Sequence, residues 1–398
     1  MSTSLYGAQL LTTIPEGHLA IIPLDSMTEF GKRIDSYITL WRKERMAQSL
    51  TLHTLGDSYL SDSYIVPAKT PRFGSGEAKG EVTASVRGDD VYILVDVCNY
   101  SKTYRIGRYT NVKSPDDHFQ DLKRVISAVR ATARRINVIM PYLYEGRQMK
   151  RDGRESLDCA DALQELVQLG VSMIITFDAH DARVQNAIPL SGFEVMQASY
   201  QFIKAILRSA PDLPVDKDHL MVVSPDEGGM RRAIYMANVL GVDMGTFYQR
   251  HDYSIVNETG SHPVVANQFL GSEVAGKNII IVDDMISSGE TVIRTAELLR
   301  ERGAKDIYIC ATFGMFTRGF DAFDKAYKDG VFTRIFTTNL IYQQPELLKK
   351  KYYTNCDMTK FVALIIDTLN HDSSISMYLD PVDRIRAVLE KHKKGIPI

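Results

Sequence analysis

Residues 278–291, NIIIVDDMISSGET, join a short apolar segment to two acidic residues and then to a loop of small polar residues. The apolar segment is rich in β-branched residues, which is typical of a parallel strand covered on both faces. A helical pattern follows, with Val292, Ala296 and Leu299 on one face and Gly303 as its stop. The stretch therefore predicts a strand, a tight loop and a helix in succession.

The loop within this stretch has the composition of an anion site. Backbone N–H groups at a helix N-terminus, together with serine and threonine hydroxyls, can bind phosphate without a lysine. Gly289 lets the backbone approach the anion closely. The two carboxylates can accept hydrogen bonds from vicinal ribose hydroxyls and support Mg²⁺. The residues predicted to bind a ribose 5-phosphate group are Asp283, Asp284, Ser287, Ser288, Gly289, Glu290 and Thr291. An ordinary turn with a helix cap remains the alternative on these residues alone.

Short apolar runs alternate with helical patterns along most of the chain. This alternation predicts an α/β fold with parallel sheets. In 156–169, for example, Leu157, Ala160, Leu163 and Val167 recur at helical spacing. The predicted strands are 136–140, 173–177, 220–223, 278–282, 307–313 and 334–338.

The composition excludes several classes of function. The chain has 44% hydrophobic residues, 24% charged residues and a net charge of −2, so no global field recruits nucleic acid or an anionic membrane. The apolar runs have about the length of strands, so none is expected to span a bilayer, and no secretory signal is expected. The four cysteines, Cys98, Cys159, Cys310 and Cys356, form no CxxC pair. We expect free thiols in a reducing cytoplasm.

The length of 398 residues is too great for one typical hydrophobic core, so two domains are expected. Pro189 and the prolines at 211 and 214 flank a helical stretch, and we place the break near 189. Residues 36–66 are interpreted as an insertion. Their charged run, 42–45, is expected to form a solvated helix face.

The stretch at 278–291 resembles the phosphoribosyl-binding motif of the type I phosphoribosyltransferase fold. The resemblance implies two type I phosphoribosyltransferase-like domains, each with a mainly parallel sheet and helices on both faces. The first would cover 1–188 and be completed by 373–398, and the second would cover 189–372. Enzymes of this fold either use phosphoribosyl pyrophosphate or, like ribose-phosphate diphosphokinase, make it.

Further stretches, in family order over residues 70–380, resemble ribose-phosphate diphosphokinase. Within 72–95 lie positions that in the family hold adenine from a neighbouring subunit, and Ser75 there departs from the usual acidic or amide residue. The run 140–148, MPYLYEGRQ, resembles the ATP-binding run, although Met149 stands where an aspartate is usual. The resemblance assigns ATP binding to Phe73, Ser75, Glu77, Arg147, Gln148 and Arg231. On composition alone, the phenylalanine could be core and Arg147 a surface charge.

Residues 223–232, VSPDEGGMRR, resemble the pyrophosphate-binding loop of the family. The resemblance implies that Asp226 helps to hold Mg²⁺ or ribose, and that Gly228 and Gly229 expose backbone N–H groups. His180 follows a strand as the magnesium-linked histidine of the family does, so His180 and Asp226 are the predicted metal ligands. The glycines could instead form only a tight turn, and the histidine could be structural.

The predicted mobile loop, 249–276, departs from the family. There a lysine and, two residues on, an arginine close on the transferring phosphates, whereas here Gln249 and His251 take those positions. Arg250 remains the plain cation, and these three residues are the predicted catalytic ones. In the 287–291 loop, Ser287 occupies a position where the family usually has an aspartate, and Glu290 occupies one where it usually has a small residue. Together with the changes at 249 and 251, these departures lead us to expect slow turnover.

The predicted function is transfer of the diphosphoryl group of ATP to the 1-hydroxyl of ribose 5-phosphate, with Mg²⁺ as cofactor. The alternatives are a catalytically weakened regulatory paralogue and a phosphoribosyltransferase that uses phosphoribosyl pyrophosphate. The predicted ligands are ATP and ribose 5-phosphate, with no nucleic-acid or membrane partner. The resemblance also implies a cytoplasmic homo-oligomer whose subunits share the adenine site.

Overall fold

The computed structural model describes residues 13–48, 59–151, 153–251 and 264–398; for Gln48, 249–251 and 264–267 it describes only the backbone. The chain forms two compact units. Unit 1 comprises Met1–Gln197, Leu340–Tyr342 and Asp357–Asp380. Unit 2 comprises Ala198–Asn339, Gln343–Cys356 and Pro381–Ile398.

Unit 1 is built on a parallel sheet with two small antiparallel pairs beside it. Its strands are β1 (Leu19–Pro23), β2 (Ala68–Lys69), β3 (Glu81–Val82), β4 (Asp90–Leu94), β5 (Thr103–Ile106), β6 (Tyr109–Val112), β7 (Arg135–Ile139), β8 (Met173–Phe177) and β9 (Gly192–Met196). Its helices are α1 (Thr28–Gln48), α2 (Pro115–Val129), α3 (Asp158–Gln168), α8 (Thr359–Asn370) and α9 (Ser376–Leu379), with 3₁₀ turns at Asp25–Met27 and Ala182–Ala187. The main sheet has the order β1-β4-β7-β8-β9, and its neighbouring strands are parallel.

Helices cover both faces of this sheet. Val91 and Ile93 point into a core shared with α2 and α3. The intervening residues point the other way, since side chains alternate along a strand. On that second face α1 lies against Leu94 and α8 against Phe177. Within the described ranges, the helices are all too short or too polar to cross a bilayer.

Only half of the charged run in α1 faces solvent: Lys43 and Glu44 are exposed, whereas Arg42 and Arg45 are buried, which corrects the expectation of a solvated face. α1 begins at Thr28, so residues 36–48 continue a helix of the fold; 49–58 lie outside the described residues. Arg42 is only 1% exposed, and its Nε donates to Asp367 Oδ1 on α8 at 2.9 Å. Arg45 pairs with the same carboxylate. The partner lies 325 residues away, and such a distant pairing cannot be inferred from the local charge pattern.

Unit 2 is built on a seven-stranded sheet. Its strands are β10 (Leu220–Ser224), β11 (Asp243–His251), β12 (Val264–Leu270), β13 (Asn278–Ile286), β14 (Ile307–Gly314), β15 (Arg334–Thr338) and β16 (Tyr353–Cys356). Its helices are α4 (Ser199–Ser209), α5 (Met230–Leu240), α6 (Glu290–Glu301), α7 (Asp321–Lys328) and α10 (Val382–Lys393), with a 3₁₀ turn at Leu347–Lys349. The order is β12-β11-β10-β13-β14-β15-β16, and β12 pairs antiparallel with β11.

The strand order of unit 2 reverses between β10 and β13. The chain passes from β10 through α5 to β11, then returns to β13 on the other side of β10. Because such crossovers are right-handed, α5 and α6 lie on opposite faces of the sheet. Ligands of open α/β sheets bind at the carboxyl ends of the strands beside such a reversal. The predicted fold class, parallel sheets with helices on both faces, is confirmed.

The two units divide the chain differently from the expected domains. Residues 192–196 form β9, which pairs with β8, so the first sheet continues past the boundary placed near 189. Of residues 373–398, predicted to complete the first domain, 373–380 lie in unit 1 and 381–398 lie in unit 2. There His392 Nε2 lies 2.7 Å from the carbonyl oxygen of Leu213, and Arg208 Nε donates to the carbonyl oxygen of Ile398 at 2.8 Å.

Candidate functional site

An acidic cluster lies at the carboxyl ends of β10 and β13. β13 extends to Ile286, so Asp283 and Asp284 lie within the strand and not just after it. The N–H of Asp284 donates to Asp283 Oδ1 at 2.8 Å, and Asp284 is only 3% exposed. Burial raises the pKa of Asp283 well above its usual range, and the charges of Asp284 and Asp226 raise it further. The structure therefore brings these three predicted site carboxylates together.

The turn from β10 to α5 is held by its own polar groups. Ser224 Oγ donates to the carbonyl oxygen of Asp226 at 2.7 Å, and the Gly229 N–H donates to Asp226 Oδ1 at 3.1 Å. A Cβ at Gly229 would lie 2.5 Å from Ser224 Oγ, so a larger residue there would displace this hydroxyl from the turn. Gly228, in contrast, is exposed. The arrangement fixes the Asp226 carboxylate at the start of α5.

Arg232, and not Arg231, faces the acidic cluster. Its guanidinium lies 3.2 Å from Asp284 Oδ2, and both side chains are largely buried. Arg231 is exposed on the first turn of α5 in unit 2, whereas the other predicted ATP residues lie in unit 1. Neighbouring arginines cannot be told apart by composition. Helical phase is the signal that could have separated them, because residues 100° apart face different directions.

We predict that Arg232→Gln weakens ribose 5-phosphate binding about tenfold, because a buried carboxylate loses a charged partner that is worth ~1.5–3 kcal/mol. Calorimetric titration of ribose 5-phosphate and of ATP measures both affinities. Arg231→Gln is the comparison: it should leave ribose 5-phosphate affinity unchanged. If both variants weaken this ligand equally, the orientation of Arg232 toward Asp284 has no role in binding.

The loop predicted to bind phosphate, residues 287–291 and called the phosphate loop below, leads into α6, which begins at Glu290. Gly289 has φ +88°, and a Cβ there would lie 2.1 Å from the ring of Phe323. Glycine is therefore required by both its backbone conformation and its packing. Ser288 Oγ accepts from the Glu290 N–H at 3.4 Å, and Thr291 is exposed. The first N–H groups of α6 have no partner within the helix, so the loop is suited to an anion.

The predicted catalytic residues lie on the neighbouring strand. β11 runs parallel to β10, with Thr246 opposite Ser224, so residues 249–251 continue beyond the carboxyl end of β10. The pairing of β11 with β12 shifts in register between Arg250 and His251. The side chains of Gln249, Arg250 and His251 lie outside the described part of the structure, as do residues 252–263.

The predicted adenine residues form one tight turn in unit 1. Phe73 N–H donates to the Glu77 carbonyl at 2.7 Å, and Gly76 N–H donates to the Phe73 carbonyl at 2.9 Å. Ser75 Oγ donates to the Glu77 carboxylate at 2.7 Å. Phe73 is 53% exposed. It is therefore not a core residue, and its ring is available to a ligand.

The loop that carries Arg147 and Gln148 is anchored on α2. Tyr144 stacks on Phe119 with ring centroids 4.2 Å apart, and its hydroxyl donates to Asp116 at 2.7 Å. Arg147 is exposed, whereas the Gln148 side chain donates to the carbonyl oxygen of Ser156 at 2.9 Å. This loop and the Phe73 turn border the same cavity of about 460 Å³, through Tyr144 and Gly76 respectively.

The two predicted metal ligands belong to different units. His180 is exposed in the turn after β8 of unit 1, and Asp226 lies in unit 2. Among the described residues, no three His, Cys, Asp or Glu side chains converge closely enough to enclose a metal ion. A divalent ion at the acidic cluster would therefore take much of its coordination from substrate phosphates and water, as Mg²⁺ commonly does.

Comparison with known families gives two adjacent matches. Residues 19–170 match the N-terminal domain of ribose phosphate pyrophosphokinase, and residues 186–350 match the phosphoribosyl transferase domain.

Individual relatives agree with these matches over most of the chain. The ribose-phosphate pyrophosphokinase of Vibrio cholerae is 30% identical over 339 residues, which cover 84% of this chain and 94% of the relative. That of Vibrio parahaemolyticus is 29% identical over 337 residues, with the same coverage. The crystal structure of phosphoribosylpyrophosphate synthetase from Mycobacterium smegmatis superposes with a TM-score of 0.68 at 22% identity, covering 89% of this chain and all of that one.

Proposed function

This chain belongs to the ribose-phosphate pyrophosphokinase family, and from that premise we propose how its residues bind the substrates and transfer the diphosphoryl group. The enzyme is a transferase, as the sequence predicted. In the proposed reaction, the β,γ-diphosphoryl group of ATP moves to the 1-hydroxyl of ribose 5-phosphate. The products are phosphoribosyl pyrophosphate and AMP.

The observation that carries the proposal is the acidic cluster beside the phosphate loop in unit 2. The loop offers N–H groups and hydroxyls to the 5-phosphate, while Asp283 and Asp284 accept hydrogen bonds from the ribose hydroxyls. The two carboxylates lie on β13, and the loop connects β13 to the start of α6. One sugar phosphate can therefore contact the carboxylates and the loop together. The Asp226 turn supplies the N–H of the exposed Gly228 for the diphosphate, whereas the Gly229 N–H, also predicted for this role, donates to Asp226 Oδ1.

The cluster also fits a hard divalent cation, and we propose Mg²⁺. Asp283, Asp284 and Asp226 bring negative charge together, and Arg232 neutralises part of it by pairing with Asp284. Carboxylate oxygens are the ligands that Mg²⁺ prefers. When bound, the ion would neutralise charge on the phosphates during transfer. Asp226 would hold it, and His180 of unit 1 stays a predicted ligand.

The ATP side of the proposal rests on unit 1. Phe73 presents an exposed ring on a turn fixed by hydrogen bonds, which suits stacking on adenine. Arg147 is an exposed cation on an anchored loop, which suits nucleotide phosphates. The Glu77 carboxylate, which accepts from Ser75, can accept from the adenine amino group.

We predict that Phe73→Ala weakens ATP binding about tenfold and leaves ribose 5-phosphate binding unchanged, because aromatic–base stacking is worth ~1–3 kcal/mol. Calorimetric titration of each ligand makes the comparison. Tyr109→Ala is the matched control, since Tyr109 is another exposed aromatic of unit 1. Equal weakening of both ligands by Phe73→Ala would show that the ring serves folding and not adenine.

We also propose a homo-oligomer that shares the adenine site, located in the cytoplasm. The family resemblance supports the first point. The four cysteines, all free and three of them buried, support the second. Light scattering measures the oligomer, and a monomer that binds ATP with full affinity would contradict the shared site.

The test of the proposed function is AMP formation from ATP with Mg²⁺. AMP should form with ribose 5-phosphate and not with ribose, because ribose lacks the phosphate that the loop binds. The phosphoribosyltransferase alternative predicts instead consumption of phosphoribosyl pyrophosphate with a nucleobase. The weakened-paralogue alternative predicts little or no AMP; relatives that are named ribose-phosphate pyrophosphokinase do not favour it.

A further inference from the structure

A second loop of unit 2, residues 315–318, runs beside the phosphate loop. The N–H of Thr317 donates to the carbonyl oxygen of Ser287 at 2.9 Å, and that of Met315 donates to the carbonyl oxygen of Ile286 at 2.9 Å. Backbone bonds therefore fix the path of this loop along the start of α6. The side chain of Arg318 emerges at its end.

The two loops also share a packed aromatic base. Phe316 is only 1% exposed, and its ring centroid lies 5.1 Å from that of Phe323. Phe323 is the ring that fills the space where Gly289 lacks a Cβ. Interiors packed in this way resist small displacements, so the 315–318 loop is held against the phosphate loop on its buried side.

Arg318 forms an ion pair with Glu290, the first residue of α6. The two side chains are 69% and 70% exposed. An exposed ion pair of this kind contributes only ~0–1 kcal/mol to stability. Its main consequence is positional, because it places a guanidinium at the N-terminus of α6.

That placement matters for an anionic ligand. The phosphate loop itself contains the carboxylate of Glu290 and no lysine or arginine. A phosphate monoester carries a charge of about −1.5 to −2 near neutral pH, so it would meet a second anion at the same helix end. A guanidinium offsets the carboxylate and can take two phosphate oxygens through its parallel N–H groups.

We propose that Arg318 binds the 5-phosphate of the sugar phosphate, and that Glu290 holds the guanidinium beside the phosphate loop before the ligand arrives. This inference rests on the proposed function and names a further binding residue for it. When the 5-phosphate binds, the Arg318 guanidinium leaves the Glu290 carboxylate and pairs with the phosphate, which carries more negative charge.

The test is calorimetric titration of ribose 5-phosphate and ATP into the full-length protein and its variants. Arg318→Ala should weaken ribose 5-phosphate binding at least about tenfold, the effect of one charge-assisted contact, and leave ATP binding unchanged. Arg318→Lys should retain part of the affinity. Glu290→Gln removes the carboxylate that holds the guanidinium but keeps Arg318 itself, so it should weaken ribose 5-phosphate binding less than Arg318→Ala does. The control is Arg294→Ala, because Arg294 is also exposed on α6 and ion-paired, with Glu297 at 3.1 Å.

Three results would overturn the inference. Arg318→Ala could bind ribose 5-phosphate like the wild type, Arg294→Ala could weaken it equally, or Arg318→Ala could weaken both ligands alike through loss of structure. A wild type that binds ATP but not ribose 5-phosphate would instead refute the proposed function itself, so the two failures are distinguishable.

Discussion

Replacing both Asp283 and Asp284 by asparagine should lower the affinity for ribose 5-phosphate about 10²- to 10⁴-fold, while ATP binding persists. Each carboxylate is proposed to accept a hydrogen bond from a ribose hydroxyl, and two charge-assisted bonds are together worth ~3–6 kcal/mol. Asparagine keeps the side-chain shape and removes the charge, so the loss reports on the carboxylates. Calorimetric titration measures it, with the exposed Asp321→Asn of the same unit as control. Unchanged affinity in the folded double variant would remove the proposed ribose site.

The Asp283 part of this double change should not destabilise the fold. Burial raises the pKa of Asp283 well above its usual range. A carboxyl with a raised folded pKa binds its proton more tightly in the native protein than in the unfolded chain, so stability falls as pH rises through the folded pKa. Asp283→Asn removes that cost. We therefore expect this single variant, without metal, to unfold at a temperature no lower than the wild type at pH above neutral, as measured by calorimetry.

Replacing Arg250 by alanine should lower turnover about 10²- to 10³-fold, because a cation aimed at developing transition-state charge is worth ~2.7–4 kcal/mol. Its backbone lies in β11, where the pairing with β12 shifts register just after it. Such an irregularity can re-aim a side chain. Gln249 carries no charge, and a histidine with an ordinary pKa of ~6.5 is only partly charged near neutral pH.

The companion variant is Gln249→Lys with His251→Arg, which should raise turnover and change KM little, because a closing loop acts chiefly on the transition state. Steady-state turnover of the wild type and both variants decides the matter. If the wild type has a high turnover rate and Arg250→Ala does not lower it, another group supplies the positive charge. If the wild type is inactive and only the double variant forms product, the regulatory-paralogue reading gains support.

Much of the fold follows from local patterns. All six strands predicted from short apolar runs are present, and the helices predicted at 156–169 and 291–302 correspond to α3 and α6. The phosphate loop was predictable because strand, glycine and helix start are adjacent in the chain. β1, β4, β9, β12 and β16 were not predicted as strands, and β12 lies within the predicted loop 249–276. Strand length does not explain these omissions, because the predicted β7, β8, β10 and β15 also have five residues.

The missed ion pairs all depend on partners distant in sequence. Asp367 pairs with the arginines of α1 across more than 320 residues, and Asp284 pairs with Arg232 across 52. Arg318 and Glu290 are 28 residues apart. A single sequence shows which residues carry charge, but not which charges the fold brings together. The burial of Arg42 and Arg45 and the choice between Arg231 and Arg232 therefore required the structure.

The most direct test of the central claim is the fate of a phosphorus label in the terminal phosphate of ATP, after incubation with ribose 5-phosphate, Mg²⁺ and the protein. If the diphosphoryl group moves as one unit, AMP and phosphoribosyl pyrophosphate form in equal amounts, and the label lies in the terminal phosphate of the sugar diphosphate. Formation of ADP with the label in a monophosphate, or loss of ATP that does not depend on ribose 5-phosphate, would contradict the account.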